Sequence, residues 1–261
     1  MQFPSTDQEV KMSTFTLLPD DTTPAHDGTT LTRIRRGRGK RRGGFIGDDV
    51  VLENGGWVDG TSHVSGRSRI TGHGLVDEQA RVHDALVTGN GYVTDSARVT
   101  DAIIDGHARV SGCAVVLGPG TRITGTTAVS GAAHIGPSTV LDGPRVSGSA
   151  KVARVTIIGT ATLAARAHVV APAPLRYIDP QDRPHIFGTA LIESAGDVFI
   201  SPPLGDRGTS LVAYRTHLGV AYSFGSDPVT DPFAVLSSLG RTRLVTDTTT
   251  HLRRWLLRRR G

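Results

Sequence analysis

Four histidines are the residues of this sequence best suited to moving a proton: His63, His134, His168 and His185. A positioned imidazole can act as a general base at neutral pH. The first three stand at equivalent positions of a repeat, whereas His185 lies in the one long irregular segment. Spacing alone brings no serine, histidine and carboxylate together, and Cys113 has no histidine base close to it in sequence.

A metal site is not expected. One cysteine in 261 residues excludes a disulfide framework and a zinc site built on several thiolates. The repeated histidines are too far apart along the predicted fold to converge on one ion. Asp179, Asp182 and His185 stand close together, but we interpret them as solvated residues of a proline-rich turn.

The positive charge of the chain is concentrated near its two ends. Residues 253–260 hold five basic side chains, and residues 33–42 hold seven: Arg33, Arg35, Arg36, Arg38, Lys40, Arg41 and Arg42. The rest of the chain carries 17 basic and 24 acidic residues. Such basic segments attract nucleic acid or another polyanion without sequence preference. The alternatives are that they only solubilise the protein or bind its acidic body.

A repeat runs through the middle of the chain. An aliphatic residue recurs every five to seven positions from Ile46 to Leu175, as at Val99, Val140 and Ile158, and a small residue stands two positions before almost every one. Period two within a short strand turns both residues inward. We call each such short strand with its turn a row. One row is too short to be stable alone, so rows must stack, and their aliphatic side chains then form one continuous ladder. Three rows make a coil of about 18 residues.

The repeat predicts an all-β solenoid, and it resembles the bacterial transferase hexapeptide-repeat family. The resemblance implies a left-handed parallel β-helix of hexapeptide repeats over residues 45–175. We expect residues 1–44 to be a disordered basic arm and residues 176–188 to be a loop. Residues 189–261 should form strands and helices, a small C-terminal α+β cap over the end of the coil.

The cap is predicted in some detail. Two further rows are expected at Ile192 and Val198, followed by antiparallel strands at 209–215 and 219–224. Asp231 followed by Pro232 indicates the start of a helix over 232–239, and a last helix is expected over about 248–259.

Because three rows make one coil, every third row lies on the same side of the solenoid, and the solenoid has three such faces. The residue just before each inward aliphatic points outward, so each face carries a ladder of outward residues. Face one carries His63, Arg81, Arg98, Val115, His134, Lys151 and His168. Face two carries Trp57, Leu75, Tyr92, Arg109, Ala128, Arg145 and Thr162. Face three carries Arg69, Leu86, Ile103, Arg122, Thr139 and Ile157.

These faces suggest two kinds of surface. Regularly spaced cations on face one, Arg81, Arg98 and Lys151, are suited to an extended polyanion, although they also suit a simply solvated sheet. Large apolar residues are expected at subunit contacts: Trp57, Leu75 and Tyr92 on face two, and Leu86, Ile103 and Ile157 on face three. The resemblance implies that such faces pack as trimers.

Three functions fit the sequence. The first is a non-enzymatic structural or interaction protein, a rigid rod for assembly or display, because residues 46–175 have almost no insertion that could build a pocket. The second, implied by the resemblance, is an acyltransferase that uses a coenzyme A thioester, with His134 or His185 as general base. The third is a polyanion-binding module. Without the thioester, no cofactor is expected.

The setting expected from the sequence is the cytoplasm or a phage- or envelope-associated assembly. The first residues lack the basic start and apolar stretch of a secretory signal. The longest apolar runs are only a few residues long, so no transmembrane segment is expected.

Overall fold

The computed structural model confirms an all-β solenoid of parallel strands with a small C-terminal cap. It describes residues 15–37, 42–159, 161–170, 185–187, 191–194, 197–201, 204, 210–216, 219–224, 227–240 and 242–257. No helix within these ranges is both long and apolar enough to cross a membrane.

The strands and helices follow one another in three groups. A hairpin of β1 (Phe15–Pro24) and β2 (Thr30–Arg36) comes first. The solenoid strands are β3 (Arg42–Ile46), β4 (Val51–Leu52), β5 (Trp57–Val58), β6 (His63–Ser65), β7 (Arg69–Ile70), β8 (Leu75–Val76), β9 (Arg81–His83), β10 (Leu86–Val87), β11 (Tyr92–Val93), β12 (Arg98–Ile104), β13 (Arg109–Val110), β14 (Val115–Thr124), β15 (Ala128–Val129), β16 (His134–Ile135), β17 (Val140–Asp142), β18 (Arg145–Val146), β19 (Lys151–Ala153), β20 (Thr156–Ile158), β21 (Thr162–Ala165), β22 (His168–Val170), β23 (His185–Phe187), β24 (Leu191–Ser194) and β25 (Asp197–Ile200). The cap adds β26 (Leu211–Thr216), β27 (Gly219–Phe224), β28 (Asp227–Val229), α1 (Pro232–Ser238) and α2 (Arg243–Leu257).

Each strand between the first and last coils of the solenoid pairs in parallel with a strand one coil earlier and with one a coil later. On face one the outward residues pair in the order His63, Arg81, Arg98, Val115, His134, Lys151 and His168. Face two is an eight-stranded sheet from β5 to β24, and its outward residues also follow the predicted order.

The core is a tube of stacked aliphatic side chains with small residues at its corners. Val99, Val110 and Val116 are fully buried, as are the alanines that stand two positions before them. A Cβ added to Gly74 would lie 2.6 Å from the Val87 carbonyl oxygen, so the corner has no room for a larger residue. Where the small residue is Ser68, its hydroxyl donates to the Ser65 carbonyl at 2.7 Å. Such hydrogen bonds satisfy the buried hydroxyl groups at the corners of an otherwise apolar tube.

Two rows of face three have a different register from the one expected. Leu141 and Ile157 point inward, whereas Val140 and Ile158 point outward, and Leu141 pairs with Ile157. Each row contains two adjacent aliphatic residues, so the sequence pattern did not distinguish the inward one. Ile157 is therefore a core residue and not the surface contact that we predicted. Thr139, expected on the surface of face three, is buried as well.

The prediction that residues 1–44 form a disordered arm is wrong for residues 15–36. Strands β1 and β2 pair antiparallel, and β2 pairs antiparallel with β3, so the hairpin extends the sheet of face one. Leu31 and Ile34 are fully buried where the hairpin packs against the solenoid. The outer strand β1 includes Pro19 and Pro24, which have no N–H group to donate to another strand.

The solenoid also continues past residue 175. Strands β23, β24 and β25 pair in parallel with β20, β21 and β22, which confirms the rows at Ile192 and Val198. Strand β23 lies within the segment that we had expected to be a loop. It places His185 beside Thr156, at the end of face three.

The cap consists of β26, β27, β28 and the two helices. Strand β26 pairs antiparallel with β25, β27 with β26, and β28 with β27. The Asp231 carboxylate accepts from the backbone N–H groups of Phe233 and Ala234, so it caps α1 as predicted. Helix α2 begins five residues earlier than expected. Its buried Leu252 packs with Leu236 and Leu211 in a second, smaller core.

The adjacent isoleucines of β20 allow a test of the register. Ile157 is 0% exposed and Ile158 is 38% exposed. We expect Ile157→Asp to destabilise the fold by several kcal/mol, since it buries an unpaired carboxylate. Ile158→Asp should stay within about 1 kcal/mol of the wild type. Chemical denaturation followed by circular dichroism measures both, and equal destabilisation would contradict the inward position of Ile157.

Candidate functional site

A cavity of about 370 Å³ lies between the hairpin turn and face one, near the N-terminal end of the solenoid. One wall is the turn at residues 25–27. The other wall consists of residues from four successive coils: His63, Ser65, Arg81, Val82, His83, Arg98, Val99, Thr100, Val115 and Leu117. The concavity that a smooth tube lacks is thus supplied by the hairpin, which we had not expected to be folded.

Parallel pairing fixes the positions of the side chains on the solenoid wall. Arg81 pairs with Arg98, and His83 pairs with Ser65 on one side and Thr100 on the other. Paired residues on neighbouring strands lie about 4.8 Å apart. The wall therefore presents a cationic column and, two residues further along each strand, a column of hydroxyl and imidazole groups.

The opposite wall is a tight turn stabilised by Asp27. Its Oδ1 accepts from the Thr29 backbone N–H at 3.0 Å and from the Thr29 hydroxyl at 2.7 Å. These hydrogen bonds hold the pKa of the Asp27 carboxyl below its usual range, and nearby His83 lowers that pKa further. Asp27 is therefore ionised at neutral pH and places a negative charge near His83.

Arg81 and Arg98 are exposed and form no ion pair with any residue that the structure describes. Several other arginines of the solenoid and hairpin are paired. Arg33 contacts Asp21 at 2.8 Å and lies 4.0 Å above the Phe45 ring. Arg69 and Arg122 bind carboxylates of neighbouring coils. The two groove arginines are therefore available for an external anion.

His63 lies at the end of the groove wall nearest the hairpin. Its ring meets Phe45 edge to face, with ring centroids 5.4 Å apart. Burial lowers the pKa of His63, and the charges of Arg81 and Arg33 lower it further. The imidazole is therefore neutral at neutral pH and can donate or accept a hydrogen bond in the groove.

Ser65, His83 and Asp84 form a connected group at the edge of the same groove. Ser65 Oγ lies 2.9 Å from His83 Nδ1, and His83 Nε2 lies 3.1 Å from an Asp84 carboxylate oxygen. The sequence analysis missed this group. Ser65 and His83 are 18 positions apart, one coil of the repeat, and that spacing was the signal that could have revealed their contact.

The predicted polyanion-binding residues are distributed unequally. Arg81 and Arg98 line the groove, and Lys151 stands three strands beyond Arg98 on the same face. Arg33 and Arg35 are half-buried in β2, whereas Arg36 and Arg42 are exposed. Arg38, Lys40 and Arg41 lie outside the described residues.

The two histidines proposed as general bases are not brought together. His134 is exposed on face one between Val115 and Lys151 and does not line the groove. His185 belongs to β23 on face three, and the surroundings of its side chain lie outside what the structure describes.

The apolar residues predicted to form subunit contacts also differ among themselves. Trp57 is only 6% exposed, because the hairpin covers it and Arg36 lies 5.3 Å from its ring. Leu75 and Tyr92 are half-buried on face two, and the Tyr92 hydroxyl donates to Asp77 at 3.3 Å. On face three, Leu86 and Ile103 point outward, half-buried.

Within the described part of the chain, no group of three or more histidine, cysteine, aspartate or glutamate side chains could hold a metal ion. Cys113 is a free, exposed thiol. Comparison with family models, with curated proteins and with solved structures found no match to this chain.

The lowered pKa of His63 predicts how stability depends on pH. Because the folded state favours the neutral imidazole, the unfolded chain binds more protons as the pH falls through the ordinary histidine pKa of about 6.5. Stability should therefore fall between about pH 7.5 and about pH 5.5. His63→Gln should reduce this loss, as measured by the shift in melting temperature, with His134→Gln as the matched control. An unchanged shift in His63→Gln would show that His63 does not couple folding to protonation.

Proposed function

We propose that the protein binds an extended polyanion along face one, with one end of the polyanion held in the hairpin groove. The observation that carries this proposal is the pair Arg81 and Arg98, which line a cavity of about 370 Å³ and have no ion-pair partner in the described part of the chain.

The chemistry of the wall suits phosphate, sulfate or carboxylate groups. A guanidinium group offers planar, paired donors to such oxygens and stays charged at any physiological pH. His63, held neutral, adds an uncharged donor beside Arg81. Ionised Asp27 repels an anion from the hairpin side, so the ligand should lie towards face one.

Face one continues this surface away from the groove. After Val115 come His134, Lys151 and His168, each in register with the next. Neighbouring side chains are about 4.8 Å apart, so a repeating anion could contact several of them at once. The body of the protein outside the two basic runs carries more acidic than basic residues. Binding should therefore be localised to this face rather than spread over the surface.

Binding can be measured by fluorescence anisotropy with a labelled oligothymidylate as the probe, over a range of salt concentrations. We expect Arg81→Gln/Arg98→Gln to weaken binding at least about tenfold and to reduce the logarithmic salt slope by about two. Arg145→Gln, an exposed arginine on face two, is the matched control and should leave binding unchanged.

Equal affinity of the wild type and the double variant would refute the groove as the binding site. Deletion of residues 1–44 is a poorer test, because it removes Leu31 and Ile34 from the folded core.

A structural role in assembly is the second candidate, and it is favoured by the outward apolar residues of face three. Leu86 and Ile103 pair directly, and Val51 (37%) and Ile158 (38%) are exposed further along the same face. A flat, regular ladder with apolar side chains is suited to packing against another copy of the chain. Lateral contact of this kind would produce an oligomer, with a trimer as the form implied by the family resemblance.

Sedimentation velocity tests this second candidate. We expect the wild type to sediment as an oligomer and Leu86→Lys/Ile103→Lys to sediment as a monomer, since two ammonium groups cannot be buried unpaired at an interface. Ala128→Lys on face two is the control for a general effect of added charge. A monomeric wild type would contradict assembly through face three.

A further inference from the structure

We infer that Ser65 and His83 are catalytic residues of an ester hydrolase site at the edge of the hairpin groove, with Asp84 positioning His83. The connected hydroxyl, imidazole and carboxylate carry this inference, because each group occupies the position that its role in nucleophilic catalysis requires.

The two ring nitrogens of His83 have different neighbours. Nε2 lies 3.1 Å from an Asp84 carboxylate oxygen, and Nδ1 lies 2.9 Å from Ser65 Oγ. With the proton on Nε2, beside the carboxylate, the lone pair of Nδ1 can accept the Ser65 hydroxyl proton. A histidine in this tautomer is a general base for the serine.

Asp84 is itself held in place. Its Oδ1 accepts from the Arg67 backbone N–H at 2.8 Å, while Oδ2 faces His83. Gly66, at φ +61°, makes this approach possible, because a Cβ at that position would lie on Asp84 Oδ1 and 3.0 Å from His83 Cε1. The turn after Ser65 is thus shaped around the carboxylate.

The nucleophile lies at the boundary between the core and the groove. Ser65 is 8% exposed and lines the cavity, whereas the side chains of His83 and Asp84 are 38% and 34% exposed. Three other turns of the chain have the same local sequence: Val110-Ser111-Gly112, Val129-Ser130-Gly131 and Val146-Ser147-Gly148. None of these three serines lines the groove, so they serve as internal controls.

The reaction balances with water as the only co-reactant. Ser65 Oγ attacks the ester carbonyl carbon while its proton passes to His83 Nδ1. The carbon–oxygen bond to the alcohol then breaks, and His83 gives its proton to the leaving oxygen. Water attacks the acyl-serine, its proton passes to His83, and His83 returns that proton to Ser65 Oγ as the acid leaves.

The substrate class follows from the neighbouring cation. Arg81 lies two residues before His83 on the same strand, so both side chains point outward about 7 Å apart. An ester that carries a carboxylate or phosphate group a few bonds from its carbonyl would place that anion at Arg81 and its carbonyl at Ser65. This choice of substrate rests on the proposed anion binding, whereas the nucleophile itself does not.

The test of the nucleophile is labelling of the full chain with an uncharged fluorophosphonate, followed by peptide mass spectrometry. We expect one adduct, on Ser65, and no adduct on Ser111 or Ser147. Ser65→Ala should abolish labelling, Ser111→Ala should leave it unchanged, and His83→Gln should slow it at least about 100-fold. Melting temperatures should show that the variants remain folded.

Hydrolysis of p-nitrophenyl esters then separates the remaining roles. Asp84→Asn should lower kcat with little change in KM, as expected for a residue that acts through His83. Arg81→Gln should raise KM for the hemisuccinate ester by a larger factor than KM for the acetate ester.

The outcomes keep the two proposals distinct. Absence of an adduct on Ser65, or equal labelling of Ser111, would overturn the nucleophile even if oligothymidylate binds. Labelling of Ser65 without any effect of Arg81→Gln on KM would support the nucleophile and refute an anionic substrate.

Discussion

The rest of this structure depends on the in-register pairing of each short strand with the strand one coil away. That pairing stacks the inward aliphatic residues into a single core, because a row of two or three residues cannot bury its own side chains. It also stacks the outward residues. His63, Arg81 and Arg98 form a column for the same reason that Val64, Val82 and Val99 form a ladder. In this fold the chemistry of the surface follows from the register that builds the core.

Much of the fold could be predicted because one rule is repeated many times. The pairing of a small residue with an aliphatic one identified the rows, and the order of faces one and two followed from counting. The pattern did not identify the inward residue at Val140-Leu141 and at Ile157-Ile158, because both members of each pair are aliphatic and either could point inward. In those rows hydrogen bonding to the neighbouring coils selects the inward residue.

The candidate site was predicted only in part, and the physical reasons differ for its two walls. Arg81 and Arg98 were placed correctly because they belong to the repeat. The hairpin was missed because its strand β2 contains three basic residues, Arg33, Arg35 and Arg36, and four more follow within six positions of the sequence. Such a composition is typical of an unstructured tail. Burial of Leu31 and Ile34 outweighs that tendency. The contact of Ser65 with His83 involves the position after the inward residue, which the sequence analysis did not compare between coils.

The prolines of β1 have a consequence for the length of any particle that this protein builds. A parallel solenoid has two open ends, and each could in principle continue into the next molecule by adding strands. Here the hairpin extends the face-one strand of the first coil and ends in a strand that includes Pro19 and Pro24, and an antiparallel strand follows the last coil at the other end. Growth along the axis into an endless fibre is thereby disfavoured. If copies of this chain associate as proposed, they would lie side by side, with a length fixed by the number of coils.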